Sequence, residues 1–228
     1  MNIIKSIKNL TKKEKMLWIG SLLAIVISFL FLEDIDYLTV IASLIGATAL
    51  IFLSKGDVIG QVLIVIFSLM YSIISFVFGY YGELITYAFM TLPTAVIALI
   101  SWIRNPYTER EVKVGKMTGA KWVFLILSSI VVTIIVGYAL YLLNTTNLVF
   151  SILSIVTSYF ASMLMVFRSP YYAIGYSFND IVLIVLWVLA TIEKLSYLPM
   201  VICFVVFLAN DIYGYINWKR ISKRQNKV

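Results

Sequence analysis

One stretch of the chain decides its fold class, residues 168–220: RSPYYAIGYSFNDIVLIVLWVLATIEKLSYLPMVICFVVFLANDIYGYINWKR. It contains two apolar runs, and each is long enough to cross ~30 Å of hydrocarbon as a helix. Each run carries one Asn-Asp pair, Asn179-Asp180 in the first and Asn210-Asp211 in the second. An acid at membrane depth costs about 2.5–3.5 kcal/mol on insertion scales, so such residues face a bundle interior or a polar cavity. The pairs predict either a polar site between helices or side chains that only hold the helices together.

The composition of the whole chain indicates an integral membrane protein. Of 228 residues, 62% are hydrophobic and 13% are charged, more apolar side chain than a soluble domain of this length could bury. The chain has no histidine, which excludes histidine-metal sites and histidine-dependent catalytic triads. Its single cysteine, Cys203, excludes an internal disulfide. We therefore expect no enzyme activity, no cofactor and no metal site.

The apolar spans predict an all-α protein with eight transmembrane helices. A short amphipathic segment precedes them, with isoleucines and lysines alternating at helical spacing. Each span has roughly the 17–25 residues that a bilayer requires. The predicted spans are residues 16–32, 37–54, 58–79, 81–103, 121–143, 147–167, 172–192 and 196–217.

The basic residues predict the orientation of these spans. If the N-terminus is cytoplasmic, all 18 lysines and arginines except Lys194 lie in inner loops or tails. Cytoplasmic loops carry such an excess, so we expect a multi-pass membrane protein with both termini inside. The net charge of +7 is then a topology signal, and we expect no nucleic-acid partner. The one long loop, residues 104–121, is expected to be a solvated linker rather than a regulatory segment.

An internal repeat organises the chain. Tyr81 to Trp102 and Tyr197 to Trp218 have the same separation, and ISWIR resembles INWKR at an offset of about 113–116 residues. We predict parallel three-helix repeats of the kind found in SWEET-type transporters, with Trp218 in an interfacial aromatic belt. The predicted parts are an N-terminal segment and extra helix (1–36), the first repeat (37–103), a loop and connector helix (104–146), the second repeat (147–218) and a basic tail (219–228).

Polar side chains recur on single faces of the last two helices, where spacings of three, four and seven bring them together. Amides, a phenol and an indole suit a neutral, planar solute with hydroxyl groups and would serve a metal ion poorly. Thr94 lies on a similar polar stripe in the span 81–103. The other candidate binding residues from these faces are Asn179, Asp180, Trp187, Asn210, Tyr213 and Asn217.

Two segments carry a family resemblance: SPYYAIGYSFNDIVLIVLW and MVICFVVFLANDIYGYINW are similar to the C-terminal repeat of the PnuC family of bacterial vitamin transporters. The YYGE at 80–83 and the LPT at 92–94 resemble its N-terminal repeat. The resemblance implies a SWEET-like three-one-three fold preceded by one extra helix and assembled as a homotrimer. It also implies facilitated diffusion of nicotinamide riboside, which a cytoplasmic kinase then phosphorylates and traps.

The resemblance also implies specific substrate contacts: Asn179, Trp187, Asn210 and Tyr213. The N-terminal half departs from the riboside pattern, because Ala95 and Leu99 replace a glutamine and the first tryptophan of a W-x-x-W pair. Trp102 remains as the second tryptophan, and Phe67 stands near an expected amide. Thiamine, riboflavin or a deoxynucleoside, which relatives carry, therefore stay open as substrates.

A second alternative concerns the transport mechanism rather than the substrate. Asp180 and Asp211 lie within apolar helices, and acids at membrane depth often relay protons. A proton-coupled transporter is therefore the rival of a facilitated-diffusion carrier.

Overall fold

The computed structural model describes residues 3–32, 35–77 and 81–227. Tyr80 of the YYGE segment and the end of the predicted span 58–79 lie outside these residues. The described residues form a helical bundle without named strands. Its helices are α1 (Ile3–Lys8), α2 (Lys12–Phe29), α3 (Tyr37–Ser54), α4 (Val58–Val77), α5 (Tyr81–Leu84), α6 (Leu92–Ile103), α7 (Gly119–Leu142), α8 (Leu148–Val166), α9 (Tyr172–Glu193) and α10 (Leu198–Gln225).

Seven segments among the described residues are long and apolar enough to cross a membrane. The first predicted span, residues 16–32, corresponds to α2, which is not among these seven segments. Its first turn, Lys12 to Lys15, is charged, and the helix ends at Phe29 rather than at residue 32. The seven segments are Tyr37–Ser54, Val58–Val77, Tyr81–Ile103, Gly119–Leu142, Leu148–Val166, Tyr172–Glu193 and Leu195–Gln225.

The basic loops meet at one end of the bundle, termed here the basic end. Ser6 Oγ donates to Asp57 Oδ2 at 2.6 Å, which joins the N-terminal segment to the α3–α4 turn. Arg168 Nε donates to the Lys113 carbonyl at 3.1 Å, which joins the α8–α9 turn to the long loop. The loops that the charge pattern assigned to one side of the membrane therefore contact one another.

The long loop after α6 packs against the basic end, so the prediction of a solvated linker was wrong for its centre. Val112 is fully buried, and its N–H donates to the Gly56 carbonyl at 2.9 Å. The Val114 N–H donates to Gln225 Oε1 at 2.8 Å. Gln225 can reach the loop because α10 continues beyond Trp218 as a regular helix, where the sequence predicted a separate tail.

Two tryptophans bond reciprocally across the bundle, and we term this arrangement the tryptophan clamp. Trp102 Nε1, on α6, donates to the Met165 carbonyl of α8 at 3.0 Å. Trp218 Nε1, on α10, donates to the Leu53 carbonyl of α3 at 2.8 Å. The two indole rings are fully buried with centroids 5.5 Å apart. Trp218 therefore lies in the core and not in the interfacial belt predicted for it.

The span Tyr81–Ile103 is interrupted by a π-helical turn at Ile85–Thr91. Pro93 lies two residues after the end of this turn and has no N–H to donate to it. A π-helical turn widens a helix locally and is frequent at functional sites. Here the turn places Thr86, Tyr87 and Thr91 on the wall of a large cavity.

Candidate functional site

A cavity of about 590 Å³ lies between α3, α4, the π-helical turn, α8, α9 and α10. It begins at the exposed loop 143–147, at the end of the bundle opposite the basic end, and it reaches the buried Asp180 and Asp211. Leu53 and Met165 line it as well. Since the carbonyls of these two residues accept the bonds of the tryptophan clamp, the clamp lies directly beneath the cavity and separates it from the basic end.

Acidic residues dominate the charge of the cavity. Asp180 and Asp211 are both buried, and both line the cavity. Glu83 and Glu193 lie nearer the mouth, and no described lysine or arginine lines the cavity. The lining therefore favours a cationic solute over the neutral one expected from the sequence.

Aromatic rings form the second feature of the lining. Tyr71 and Tyr87 lie with ring centroids 4.5 Å apart, and Phe67 is 5.4 Å from Tyr71. On the other side, Trp187 lies 5.6 Å from Tyr197. Aromatic faces carry a negative quadrupole, so they attract planar rings and cations alike.

Asn179 supplies an oriented amide. Its Oδ1 accepts hydrogen bonds from Thr157 Oγ1 at 2.9 Å and from Ser154 Oγ at 3.5 Å. These bonds occupy the oxygen and leave the amide N–H groups as donors for a ligand. Asn179, Asp180 and Trp187 are the three sequence-predicted residues that line the cavity.

Two other predicted residues, on α10, bond to α2 instead. Asn210 Nδ2 donates to Ser21 Oγ at 2.8 Å, and the Tyr213 hydroxyl donates to Glu14 Oε1 at 2.8 Å. Sequence analysis grouped these residues on one helix face, but that face meets α2. Asp211 follows Asn210 in the sequence and lies about 100° around α10 from it, so that Asp211 lines the cavity.

The last three predicted residues also bond to the protein outside the cavity. Asn217 Nδ2 donates to the Ser54 carbonyl at 2.9 Å. Thr94 Oγ1 donates to the Met90 carbonyl of the preceding π-helical turn at 2.9 Å. Trp102 belongs to the tryptophan clamp. None of these three side chains lines this cavity.

Sequence reasoning missed several lining residues as binding candidates. Glu83 was quoted only as part of the YYGE segment, although an acid at the start of an apolar span is itself a signal. Tyr87 shares a predicted helix stripe with Thr94, and Tyr176 shares one with Asp180, but neither tyrosine was selected as a contact. Tyr176 bonds with Ser162 Oγ at 2.8 Å. Their positions depend on how the helices rotate against one another, which a single sequence does not specify.

Known proteins that resemble this chain are described as transporters. Residues 36–220 match the family model described as nicotinamide mononucleotide transporter. A protein from Neisseria mucosa named nicotinamide riboside transporter PnuC is 26% identical over 204 residues, which cover 87% of this chain and 77% of that protein. A protein of the same name from Haemophilus influenzae is 24% identical over 194 residues, with 84% and 83% covered. A solved structure described as the vitamin B3 transporter PnuC is similar at a TM-score of 0.79 and 25% identity, covering 95% of this chain and 94% of that one.

Proposed function

Because the chain belongs to the nicotinamide mononucleotide transporter family, we propose that it carries nicotinamide riboside across the bacterial cell membrane. The proposal follows the names of the two relatives and depends on one observation above all. The cavity is lined by closely packed aromatic rings and acidic residues, and by no described lysine or arginine. Its volume of about 590 Å³ lies in the range of small-molecule sites.

The charge of the cavity discriminates between the candidate substrates. The pyridinium ring of nicotinamide riboside is planar and positively charged, so it gains from both the carboxylates and the aromatic faces. The mononucleotide adds a phosphate that would be desolvated beside four acids without a cationic partner. Riboflavin and deoxynucleosides lack the positive charge. Thiamine, a ring cation, is therefore the strongest alternative substrate.

Three residues are our proposed substrate contacts. The Asn179 amide donates to the ligand, Trp187 stacks on its ring, and Asp180 faces its positive charge. Tyr71 and Tyr87 add aromatic surface on the opposite wall.

Alternating access is proposed to occur between two parallel three-helix repeats, α3–α6 and α8–α10, joined by α7. The reciprocal bonds of Trp102 and Trp218 support this arrangement, because each repeat donates the same side chain to the first helix of the other. We further propose that α2 is an eighth crossing and that the basic end is cytoplasmic. The family resemblance adds a homotrimer, facilitated diffusion and trapping by a cytoplasmic kinase.

The test is uptake of labelled nicotinamide riboside into proteoliposomes that contain the purified protein. We expect saturable uptake that unlabelled riboside suppresses and that the mononucleotide leaves almost unchanged. Thiamine, riboflavin and a deoxynucleoside serve as competitors that rank the alternatives. Uptake that thiamine suppresses and riboside does not would move the assignment to thiamine.

Proton-coupled transport is the second candidate, and the burial of two acids, Asp180 and Asp211, on the cavity wall favours it, because acids at membrane depth often relay protons. The discriminating experiment imposes a pH gradient on the same proteoliposomes. Facilitated diffusion predicts equal initial rates and no accumulation above equilibrium. Accumulation that a proton ionophore abolishes would establish coupling.

A further inference from the structure

A second cavity, of about 610 Å³, lies at the basic end. Its walls come from the start of α2, the α3–α4 turn, the long loop and the last turns of α10. It is separate from the aromatic cavity, since no residue lines both. The lining residues are Thr11, Lys12, Lys13, Glu14, Lys55, Glu111, Tyr213, Asn217, Arg220, Ile221 and Arg224.

Both acidic residues of this basic cavity are already paired. Glu14 accepts hydrogen bonds from Lys55 Nζ at 2.9 Å and from the Tyr213 hydroxyl at 2.8 Å. Burial would raise the pKa of Glu14, but the Thr11 N–H, Lys55 and Tyr213 outweigh burial and lower that pKa, so the carboxylate is ionised and its charge is compensated. Glu111 is paired with Arg224.

Three cations of the cavity have no such compensation. Lys12, Lys13 and Arg220 are exposed and form no ion pair with any acidic residue that the structure describes. Lys12 and Lys13 lie in the first turn of α2, and Arg220 lies on α10 across the cavity. Like charges held around one concave space repel one another and concentrate positive potential there.

We propose that this basic cavity binds the phosphate group of an anionic ligand, either a soluble phosphate ester or a phospholipid headgroup. A phosphate offers several acceptor oxygens, which suit the planar guanidinium of Arg220 and the point charges of Lys12 and Lys13. The volume exceeds what a bare phosphate needs and fits an ester of nucleotide size. A general inner-loop charge bias explains basic residues at this end, but it does not explain why three of them surround one cavity.

The test uses the full-length protein and two probes that carry the same chemical group. In detergent, binding of adenosine 5′-monophosphate is titrated, with adenosine as the uncharged control. In bilayers, the melting temperature is compared between phosphatidylcholine alone and phosphatidylcholine with phosphatidylglycerol. The cavity variant is Lys13→Gln with Arg220→Gln. The matched control, Lys223→Gln with Lys227→Gln, removes the same charge from exposed residues outside the cavity.

We expect the cavity variant to bind the phosphate probe at least about tenfold more weakly, since each lost charge-assisted bond contributes more than a neutral one. The control should change binding less than about twofold. Loss of the monophosphate response identifies a soluble ester, and loss of only the lipid-dependent stabilisation identifies a headgroup. The proposal fails if neither probe responds, if adenosine binds equally well, or if both double variants weaken binding alike. Should the cavity variant not elute as a single species, Lys12→Gln alone replaces it under the same criteria.

Discussion

The tryptophan clamp gives the sharpest mechanistic prediction. Replacing Trp102 with Phe keeps an aromatic ring and removes the indole N–H that bonds to Met165. The Met165 carbonyl also accepts the Arg168 N–H at 2.9 Å, so the variant loses one bond without leaving that carbonyl unpaired. The lost hydrogen bond should destabilise the conformation in which the clamp closes the cavity toward the basic end by about 0.5–1.5 kcal/mol. The equilibrium should then shift roughly 2- to 13-fold toward a conformation that is open at this end.

The same substitution at Trp218 should have the same effect. Its acceptor, the Leu53 carbonyl, likewise accepts a turn N–H, from Gly56 at 2.9 Å. Equal shifts from two residues far apart in sequence would follow from the reciprocal geometry. They would not follow if Trp102 were a substrate contact, as the family resemblance implied, because that role has no counterpart at Trp218.

The assay measures how fast a cysteine beneath the cavity is labelled from the basic end. Ser54→Cys serves as the reporter in a Cys203→Ser background, because Ser54 is buried beside the clamp. Labelling by an impermeant maleimide should accelerate about 2- to 13-fold in both tryptophan variants. Trp122→Phe, on α7 outside the clamp, should leave the rate unchanged. Acceleration in one tryptophan variant alone, or in neither, would refute the clamp.

Three further predictions concern the site and the basic end. Asn179→Ala should weaken the apparent affinity for substrate about 2- to 13-fold at unchanged membrane abundance, and normal uptake would remove this amide from the site. Asp180→Asn and Asp211→Asn should each retain substrate exchange, with a weaker apparent affinity for the cationic substrate, measured by counterflow without a pH gradient; abolished exchange would show that the carboxyl itself is required. Gly115→Ala should lower the Tm of the purified protein, because its Cβ would lie 2.0 Å from a backbone carbonyl oxygen, whereas Gly119→Ala, with nothing within 4 Å, should not. Equal melting of these two variants would contradict the packing of the long loop.

The sequence predicted the helices well because bilayer thickness imposes a length that composition reveals directly. Predicted span 172–192 corresponds to α9 (Tyr172–Glu193), and 121–143 corresponds to α7 (Gly119–Leu142). The first predicted span, residues 16–32, matches its helix α2 (Lys12–Phe29) less closely. Its charged first turn is helical too, so the sequence marked where the apolar run began rather than where the helix did.

The site was harder to predict, because it depends on which way each helix face turns. Asn210 and Asp211 are adjacent in sequence, yet the first bonds to α2 and only the second lines the cavity. The spacing of polar residues identified the polar face of α10, but it did not show that this face contacts α2. On α9 the same reasoning selected Asn179 and Asp180, and both line the cavity. Whether a polar residue lines the cavity or bonds to another helix depends on which helices pack beside it.

The central claim is that the aromatic, acidic cavity binds the cationic ring of nicotinamide riboside. Equilibrium binding to the purified protein tests it most directly when nicotinamide riboside is compared with its dihydro form, which has nearly the same size and no positive charge. The cavity predicts saturable binding of the riboside at least about tenfold tighter than of the dihydro form, since cation–aromatic contacts contribute ~0.5–2 kcal/mol before the carboxylates are counted. Equal affinity for the two forms, or tighter binding of the dihydro form, would contradict it.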